Sequence, residues 1–157
     1  TETDEYIWIS FISLERVQGD LGSLTHVHGH RQVMKPRAAW ECLKVGNGAP
    51  PLRLPYGWLL LYHGVSGVET EEEKHVRYSA GAVVLDLDDP TTVLYRSPQP
   101  ILEPQLPQER QGVVPGVVFP TATDRRGDAQ LDVYYGAADT EVGVARLAIP
   151  AQLPPSR

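Results

Sequence analysis

Glycine and proline interrupt this sequence so often that long helices do not fit between them. The 157 residues include 14 glycines and 14 prolines, and the apolar runs between them are short. These runs are rich in Val, Tyr, Trp and Leu, which favour pleated strands, and no long segment shows a 3.6-residue apolar period. The sequence therefore predicts an all-β fold. The predicted strands are residues 6–11, 58–62, 78–87, 92–95, 113–119, 131–135 and 142–148.

The segments between these strands are predicted to be turns and loops. DDP at 88–90 and RGD at 126–128 are turn signals, and the polar residues 69–75 are expected to form a solvated loop. The tail at 150–157 carries three prolines in its eight residues and is expected to be irregular. Strands at this spacing suit a sandwich, a barrel or propeller blades, and composition does not choose among these architectures.

Composition and charge exclude several functions. A formal net charge of −6 argues against non-specific nucleic-acid binding, although a small anion needs only a few converging cations. The longest uncharged apolar run, 58–62, is far too short to cross a membrane, and no signal peptide is visible. Cys42 is the single cysteine, which rules out an internal disulfide and predicts a reducing compartment, by default the cytoplasm.

The loop KVGNGAPP at 44–51 is the first candidate site. Its two glycines permit close approach to the backbone, and its two prolines fix the exit of the chain. Lys44 at the start of this loop is a candidate point charge for an anion. An exposed lysine beside an ordinary turn is the alternative interpretation.

Two further segments place polar side chains at the ends of apolar strands. The run GWLLLYHGV at 57–65 delivers His63 just before a glycine, where it is a candidate hydrogen-bonding group for a ligand. In YYGAADT at 134–140, small residues leave space beside Asp139, whose carboxylate suits sugar hydroxyls. A structural histidine and a turn aspartate are the respective alternatives.

Weaker candidates lie elsewhere in the chain. His26, His28 and His30 alternate in a way that suits zinc on one side of a strand, but no acidic or cysteine ligand is near in the sequence. We therefore predict no metal site. Glu103 and Glu109 form a candidate carboxylate pair for glycoside chemistry, with exposed loop glutamates as the alternative.

Taken in order, these segments resemble glycoside hydrolase family 130, which comprises mannoside phosphorylases and related mannosidases. The resemblance is carried by several phrases that follow the family's order. They are WE at 40–41, KVGNGAPP at 44–51, GWLLLYHGV at 57–65, YSAGA at 78–82, LDLDDP at 85–90, PILEP at 100–104, GVVPGVVFP at 112–120 and YYGAADT at 134–140. The sequence departs from the family at Gln105, where many relatives have Glu, and at Gly116, where many have Asn.

The resemblance implies a five-bladed β-propeller of which this chain is the C-terminal half, with residues 1–149 forming the blades. It also implies inverting phosphorolysis of β-mannosides to mannose 1-phosphate, with inorganic phosphate as co-substrate and no cofactor. On the family pattern Lys44, His63 and Tyr78 contact phosphate and Asp139 contacts mannose. The general-acid aspartate and the phosphate-binding arginines are expected upstream, outside this chain.

Three functions remain open at this point. The first is phosphorolysis of a mannose-containing oligosaccharide, the second is hydrolysis of a β-mannoside on the same scaffold, and the third is sugar binding without catalysis. A half-propeller exposes strand edges, so the chain is also expected to form a homo-oligomer or to pair with a missing N-terminal half.

Overall fold

Ten strands and two short helices form the part of the chain that the computed structural model describes, residues 5–69 and 74–155. The prediction of an all-β fold is confirmed, since the two helices are single turns or little more. The strands are β1 (Ile7–Phe11), β2 (His28–Met34), β3 (Lys44–Asn47), β4 (Leu52–Leu54), β5 (Gly57–Glu69), β6 (Lys74–Leu85), β7 (Val93–Arg96), β8 (Val118–Arg126), β9 (Gln130–Ala137) and β10 (Glu141–Ala148). The helices are α1 (Leu14–Gly19) and α2 (Pro107–Arg110), and short 3-10 turns lie at Leu21–Thr25 and Ala39–Glu41.

The strands form three antiparallel sheets. The central sheet has the order β3-β5-β6-β7, with β4 pairing on β5 after β3 ends. The strands β1 and β2 form a separate hairpin, and β8, β9 and β10 form a meander in the order β10-β9-β8. None of the three sheets closes on itself within the described residues.

Alternate side chains of β5 point to opposite faces of the central sheet, and other strands pack on both faces. On one face, Leu60 and Tyr62 pack with Ile7 and Met34 of the β1-β2 hairpin. On the other face, Leu61 packs with residues of β9, among them Leu131 and Val133. This double burial explains why the sequence of β5 is apolar on both sides as it passes through the core.

Several predicted boundaries are wrong. The predicted strand at 113–119 begins only at Val118, because Val117 makes a single parallel bridge to Tyr78 and the preceding residues follow a bend. The segment 69–75 was expected to be a loop, but Glu69 and Lys74 pair as strand residues at the end of a long hairpin. Backbone pairing satisfies their amide groups whatever the polarity of their side chains. Residues 70–73 lie outside the described residues.

Strands β2, β3 and β4 were not predicted. Most of β2 is exposed, so its sequence HGHRQVM has no apolar alternation to read. Pairing with β1 makes it a strand. The strands β3 and β4 are only 4 and 3 residues long, and both take their conformation from pairing with β5.

The chain after β10 has no regular element in its described part, residues 149–155. Its start is anchored, since the Ile149 amide donates to the Ala129 carbonyl at 2.8 Å. Among the helices of the described residues, none has the length and apolar character needed to cross a membrane.

Candidate functional site

Three strands of the central sheet bring Lys44, His63 and Tyr78 onto one face. Lys44 lies opposite Val65 of β5, and Val65 lies opposite Tyr78 of β6. His63 is two residues before Val65, so its side chain points to the same side. The Lys44 Nζ lies 6.0 Å from the centre of the Tyr78 ring, and the His63 and Tyr78 rings are 5.5 Å apart, centre to centre. We call these three residues the basic-aromatic cluster.

The His63 ring is held from three sides. Its Nδ1 lies 3.0 Å from the backbone oxygen of Asn47, and its ring centre lies 4.4 Å from that of Phe119. Gly46, directly opposite His63 on β3, has no side chain to occupy the space that the ring fills. Sequence analysis did not identify Phe119 or the Asn47 carbonyl, because the packing of β8 on the central sheet brings Phe119 to His63 and the pairing of β3 with β5 brings Asn47.

Burial keeps His63 neutral. The pKa of His63 falls from its ordinary value of 6.5 to about 4, because the lowering by burial and by the nearby charge of Lys44 outweighs the raising effect of the hydrogen bond to the Asn47 carbonyl. At neutral pH the imidazole therefore carries a single proton.

This pKa predicts a loss of stability in acid. Between pH 6.5 and about 4 the unfolded chain binds a proton at His63 that the folded chain does not bind, so the free energy of unfolding falls as the pH drops through this window. The loss reaches about 3 kcal/mol at most. Urea denaturation at a series of pH values should show a flatter acid limb for His63→Gln than for the parent protein. His26→Gln, at an exposed position, is the control; equal slopes for all three proteins would contradict the prediction.

Asp139 lies apart from the basic-aromatic cluster, in the turn between β9 and β10. Ala138 and Asp139 both adopt left-handed backbone conformations, with φ of 47° and 52°, and the Thr140 amide donates to the Ala137 carbonyl across the turn. The Asp139 side chain is exposed. Its turn belongs to the β10-β9-β8 sheet, whereas the basic-aromatic cluster lies on the central sheet.

A backbone connection nevertheless ties the Asp139 turn to the start of β6. The Ala138 amide donates to the Val117 carbonyl, and the Tyr78 amide donates to the neighbouring Gly116 carbonyl. Gly116 has a φ of 75°, a left-handed conformation that glycine and asparagine both tolerate. Glycine at this position therefore fits the left-handed backbone without strain.

A buried charged network lies on the opposite face of the central sheet, behind the basic-aromatic cluster. Arg96 Nη2 lies 2.7 Å from Glu41 Oε1 as an ion pair without hydrogen-bond geometry, and the Tyr62 hydroxyl donates to Glu41 Oε2 at 2.9 Å. Arg96 Nε donates to the same Tyr62 oxygen, and the Ala38 amide donates to Glu41 Oε1. Burial raises the pKa of Tyr62, which keeps the hydroxyl protonated as a donor.

This network was also not identified from the sequence. Glu41 and Tyr62 both stand in phrases that resemble the family, but Arg96 stands in none of them. Only the pairing of β7 with β6 brings the arginine to the other two side chains.

The predicted carboxylate pair has separate structural contacts. Glu109 is 2% exposed, and it accepts hydrogen bonds from the amides of Gln105 and Leu106 and from the Tyr135 hydroxyl. Those hydrogen bonds outweigh burial and lower the pKa of Glu109. Glu103 instead forms an exposed ion pair with Arg77 at 2.9 Å. The structure therefore gives Glu109 an anchoring role and does not support the pair as catalytic.

The histidines of β2 do not form a metal centre. His30 Nδ1 lies 2.7 Å from the Ser10 hydroxyl, and the His28 ring stacks near Phe11. In the part of the chain that the structure describes, no three His, Cys, Asp or Glu side chains are grouped so that they could hold a metal ion.

A cavity of about 610 Å³ lies at the far edge of the central sheet, next to the buried network. Arg37, Tyr95, Arg96, Pro98 and Pro154 are among the residues that line it. No member of the basic-aromatic cluster lines this cavity, so it is separate from the candidate site.

Comparison with known proteins places these features in one family. A family model described as beta-1,4-mannooligosaccharide phosphorylase, of glycoside hydrolase family 130, matches residues 4–151. The chain is 39% identical over 142 residues to a 1,2-beta-oligomannan phosphorylase of Thermoanaerobacter sp. (strain X514). It is 43% identical over 117 residues to a beta-1,4-mannooligosaccharide phosphorylase of Ruminococcus albus. These alignments cover 90% and 74% of this chain, respectively.

Solved structures agree with this match. The fold is similar to that of the beta-1,2-mannobiose phosphorylase from Listeria innocua in complex with beta-1,2-mannobiose, with a TM-score of 0.68 and 40% identity over 78% of this chain. The chain spans only part of these proteins. It covers 42% of the Thermoanaerobacter relative, 34% of the Ruminococcus relative and 33% of the Listeria chain.

Proposed function

The chain belongs to glycoside hydrolase family 130, and from this premise we propose that it supplies the phosphate-binding and mannose-binding side of a mannoside phosphorylase. The reaction is the inverting phosphorolysis of a β-mannoside, which yields mannose 1-phosphate. The observation that carries the proposal is the convergence of Lys44, His63 and Tyr78 on one face of the central sheet. The two relatives that are 39% and 43% identical to this chain are named as phosphorylases.

The chemistry of these side chains suits a phosphate ion. The Lys44 ammonium offers a compact positive charge, and the Tyr78 hydroxyl offers a neutral hydrogen bond. Aromatic rings on two sides of His63 reduce the water around the cluster, which strengthens its interaction with an anion. In the proposed reaction, a phosphate oxygen held here attacks the anomeric carbon while the glycosidic oxygen leaves.

Asp139 is assigned to the sugar. An ionised carboxylate accepts up to several hydrogen bonds from vicinal hydroxyls, and its turn is tied through Val117 and Gly116 to the strand that carries Tyr78. No residue of this chain is assigned as the general acid. The proton for the leaving oxygen comes, on the family pattern, from an aspartate outside these 157 residues.

The proposal extends to the architecture. The three antiparallel sheets are interpreted as blades of a five-bladed propeller, with residues 1–149 forming a partial propeller and residues 150–157 an irregular tail. In support, β10 pairs only with β9 within the described residues, and its Val142 is 75% exposed. An apolar side chain on an open strand edge favours pairing with further strands, from a second copy or from a longer chain.

Product analysis tests the proposed reaction. A protein that joins these 157 residues to the segment carrying the proposed general acid is incubated with β-1,2-mannobiose or β-1,4-mannobiose in phosphate buffer and in a phosphate-free buffer. Formation of mannose 1-phosphate only when phosphate is present supports phosphorolysis. Free mannose at equal rates in both buffers would instead indicate hydrolysis, and binding of the sugar with no product would indicate a non-catalytic module.

Binding measurements test the separate residue assignments. We expect Lys44→Ala to weaken phosphate binding by about 10- to 100-fold, because a charge-assisted hydrogen bond contributes about 1.5–3 kcal/mol, and to leave mannobiose binding nearly unchanged. Asp139→Asn should weaken mannobiose binding and leave phosphate binding nearly unchanged. Isothermal titration of each variant with phosphate and with mannobiose gives both affinities. Equal losses of affinity for the two ligands would refute the assignment of Lys44 to phosphate and of Asp139 to mannose.

A further inference from the structure

The hydrogen bond of His63 determines which of its ring nitrogens carries the proton. Nδ1 lies 3.0 Å from the Asn47 backbone oxygen. A carbonyl oxygen only accepts hydrogen bonds, so Nδ1 must be the donor and must carry the hydrogen. In a neutral imidazole the other nitrogen, Nε2, then carries a lone pair and acts as an acceptor.

The surroundings of the ring favour this neutral form. Phe119 of β8 and Tyr78 of β6 contribute aromatic surface, and Lys44 of β3 contributes a positive charge that opposes a second proton on the ring. Lys44 and Tyr78 are the titratable groups that face His63 from these strands. Burial lowers the pKa of His63 to about 4.

Nε2 is left to interact with a ligand. The hydrogen bond that holds the ring uses Nδ1 and not Nε2. The nitrogen that would face an anion is thus an acceptor, which is unusual for a histidine assigned to a phosphate site.

We propose that His63 accepts a hydrogen bond from the anion, so that the basic-aromatic cluster selects oxyanions that carry a proton. Hydrogen phosphate and hydrogen arsenate each offer one O–H group to Nε2, while their other oxygens accept from Lys44 and Tyr78. Sulfate has the same charge and nearly the same size, but it has no proton at neutral pH. Its oxygen lone pair would face the lone pair of Nε2. This inference rests on the proposed phosphate site and adds the protonation state of its ligand.

The tautomer is measured first, without any ligand. Nitrogen-15 NMR of the histidine side chains, with the His63 signals assigned by their loss in His63→Gln, distinguishes a protonated Nδ1 from a protonated Nε2. We expect His63 at about pH 8 to be neutral with the hydrogen on Nδ1. A hydrogen on Nε2, or on both nitrogens, would overturn the inference whatever the protein binds.

Anion binding is measured next by titration of the protein with phosphate, arsenate and sulfate at about pH 8. We expect phosphate and arsenate to bind with similar affinity, and sulfate to bind about 10- to 100-fold more weakly, the ratio expected for one hydrogen bond to a charged group. In His63→Gln the preference should fall to less than about threefold, because the amide offers both a donor and an acceptor. Tyr78→Phe is the matched control; it removes a donor from all three anions and should leave the ratio unchanged.

The outcomes separate this inference from the proposed function. If sulfate binds as tightly as phosphate, the selection by His63 is refuted while the phosphate site stands. If none of the three anions shifts the His63 signals or binds, the phosphate site itself is refuted, and the selection with it.

Discussion

Replacing Glu41 by Gln is expected to lower the free energy of unfolding by about 3–5 kcal/mol, the cost of leaving a buried charge without its partner. Glu41 and Arg96 are 2% and 10% exposed in their side chains, and Arg96 has Glu41 as its ion-pair partner in the network. Glutamine keeps the shape of Glu41 and can still accept from Tyr62. The loss of stability therefore measures the cost of leaving the Arg96 charge without its partner, and not the cost of a cavity.

Urea denaturation followed by tryptophan fluorescence measures this effect, since Trp40 packs 5.7 Å from the Tyr62 ring. Glu103→Gln is the matched control. It removes one partner of the exposed ion pair with Arg77, where a change within about 1 kcal/mol is expected. The double variant Glu41→Gln with Arg96→Met should recover part of the loss, because it removes both charges. A similar small effect for Glu41→Gln and Glu103→Gln would show that the network does not stabilise the fold.

Replacing Gly46 by Ala is expected to displace the His63 ring and to destabilise the protein by about 1–3 kcal/mol, the usual cost of overpacking. A Cβ at position 46 would lie 2.5 Å from His63 Cε1 and 2.6 Å from Nε2. The ring has little freedom to move away, because it is hydrogen-bonded to Asn47 and packed against Phe119. The same substitution should therefore weaken phosphate binding together with stability.

Gly136→Ala is the control for this prediction. Gly136 also lies in a paired strand, but a Cβ there would meet its nearest neighbours, in Phe119, only at 4.0 Å. Its free energy of unfolding should change by less than about 0.5 kcal/mol, with phosphate binding unchanged. The two variants are compared by denaturation and by the histidine NMR signals. An unshifted His63 signal in Gly46→Ala would contradict the proposed steric role of Gly46.

Residue composition predicted the strands that are apolar, but it missed the segments that become strands only by pairing with a neighbouring strand. The run at 57–65 is mostly apolar or aromatic, and it forms the first part of β5. The exposed strand β2 and the polar end of the β5-β6 hairpin have no such signal, because pairing with the partner strand satisfies their backbone groups whatever the polarity of their side chains. Residues 113–117 show the converse, because they are apolar but form no strand. The chain bends here, and Gly116 adopts a left-handed backbone conformation.

The sequence by itself determined the strand-rich fold class, the resemblance to the family and the identity of Lys44, His63, Tyr78 and Asp139 as candidates. These follow from residue types and from their order along the chain. Only the tertiary structure decided that the first three share one face and that Glu41 and Arg96 form a buried pair. It also decided that burial keeps His63 neutral and that the Asn47 carbonyl fixes its proton on Nδ1. Register, burial and the direction of a hydrogen bond depend on segments far apart in sequence, so no local pattern records them.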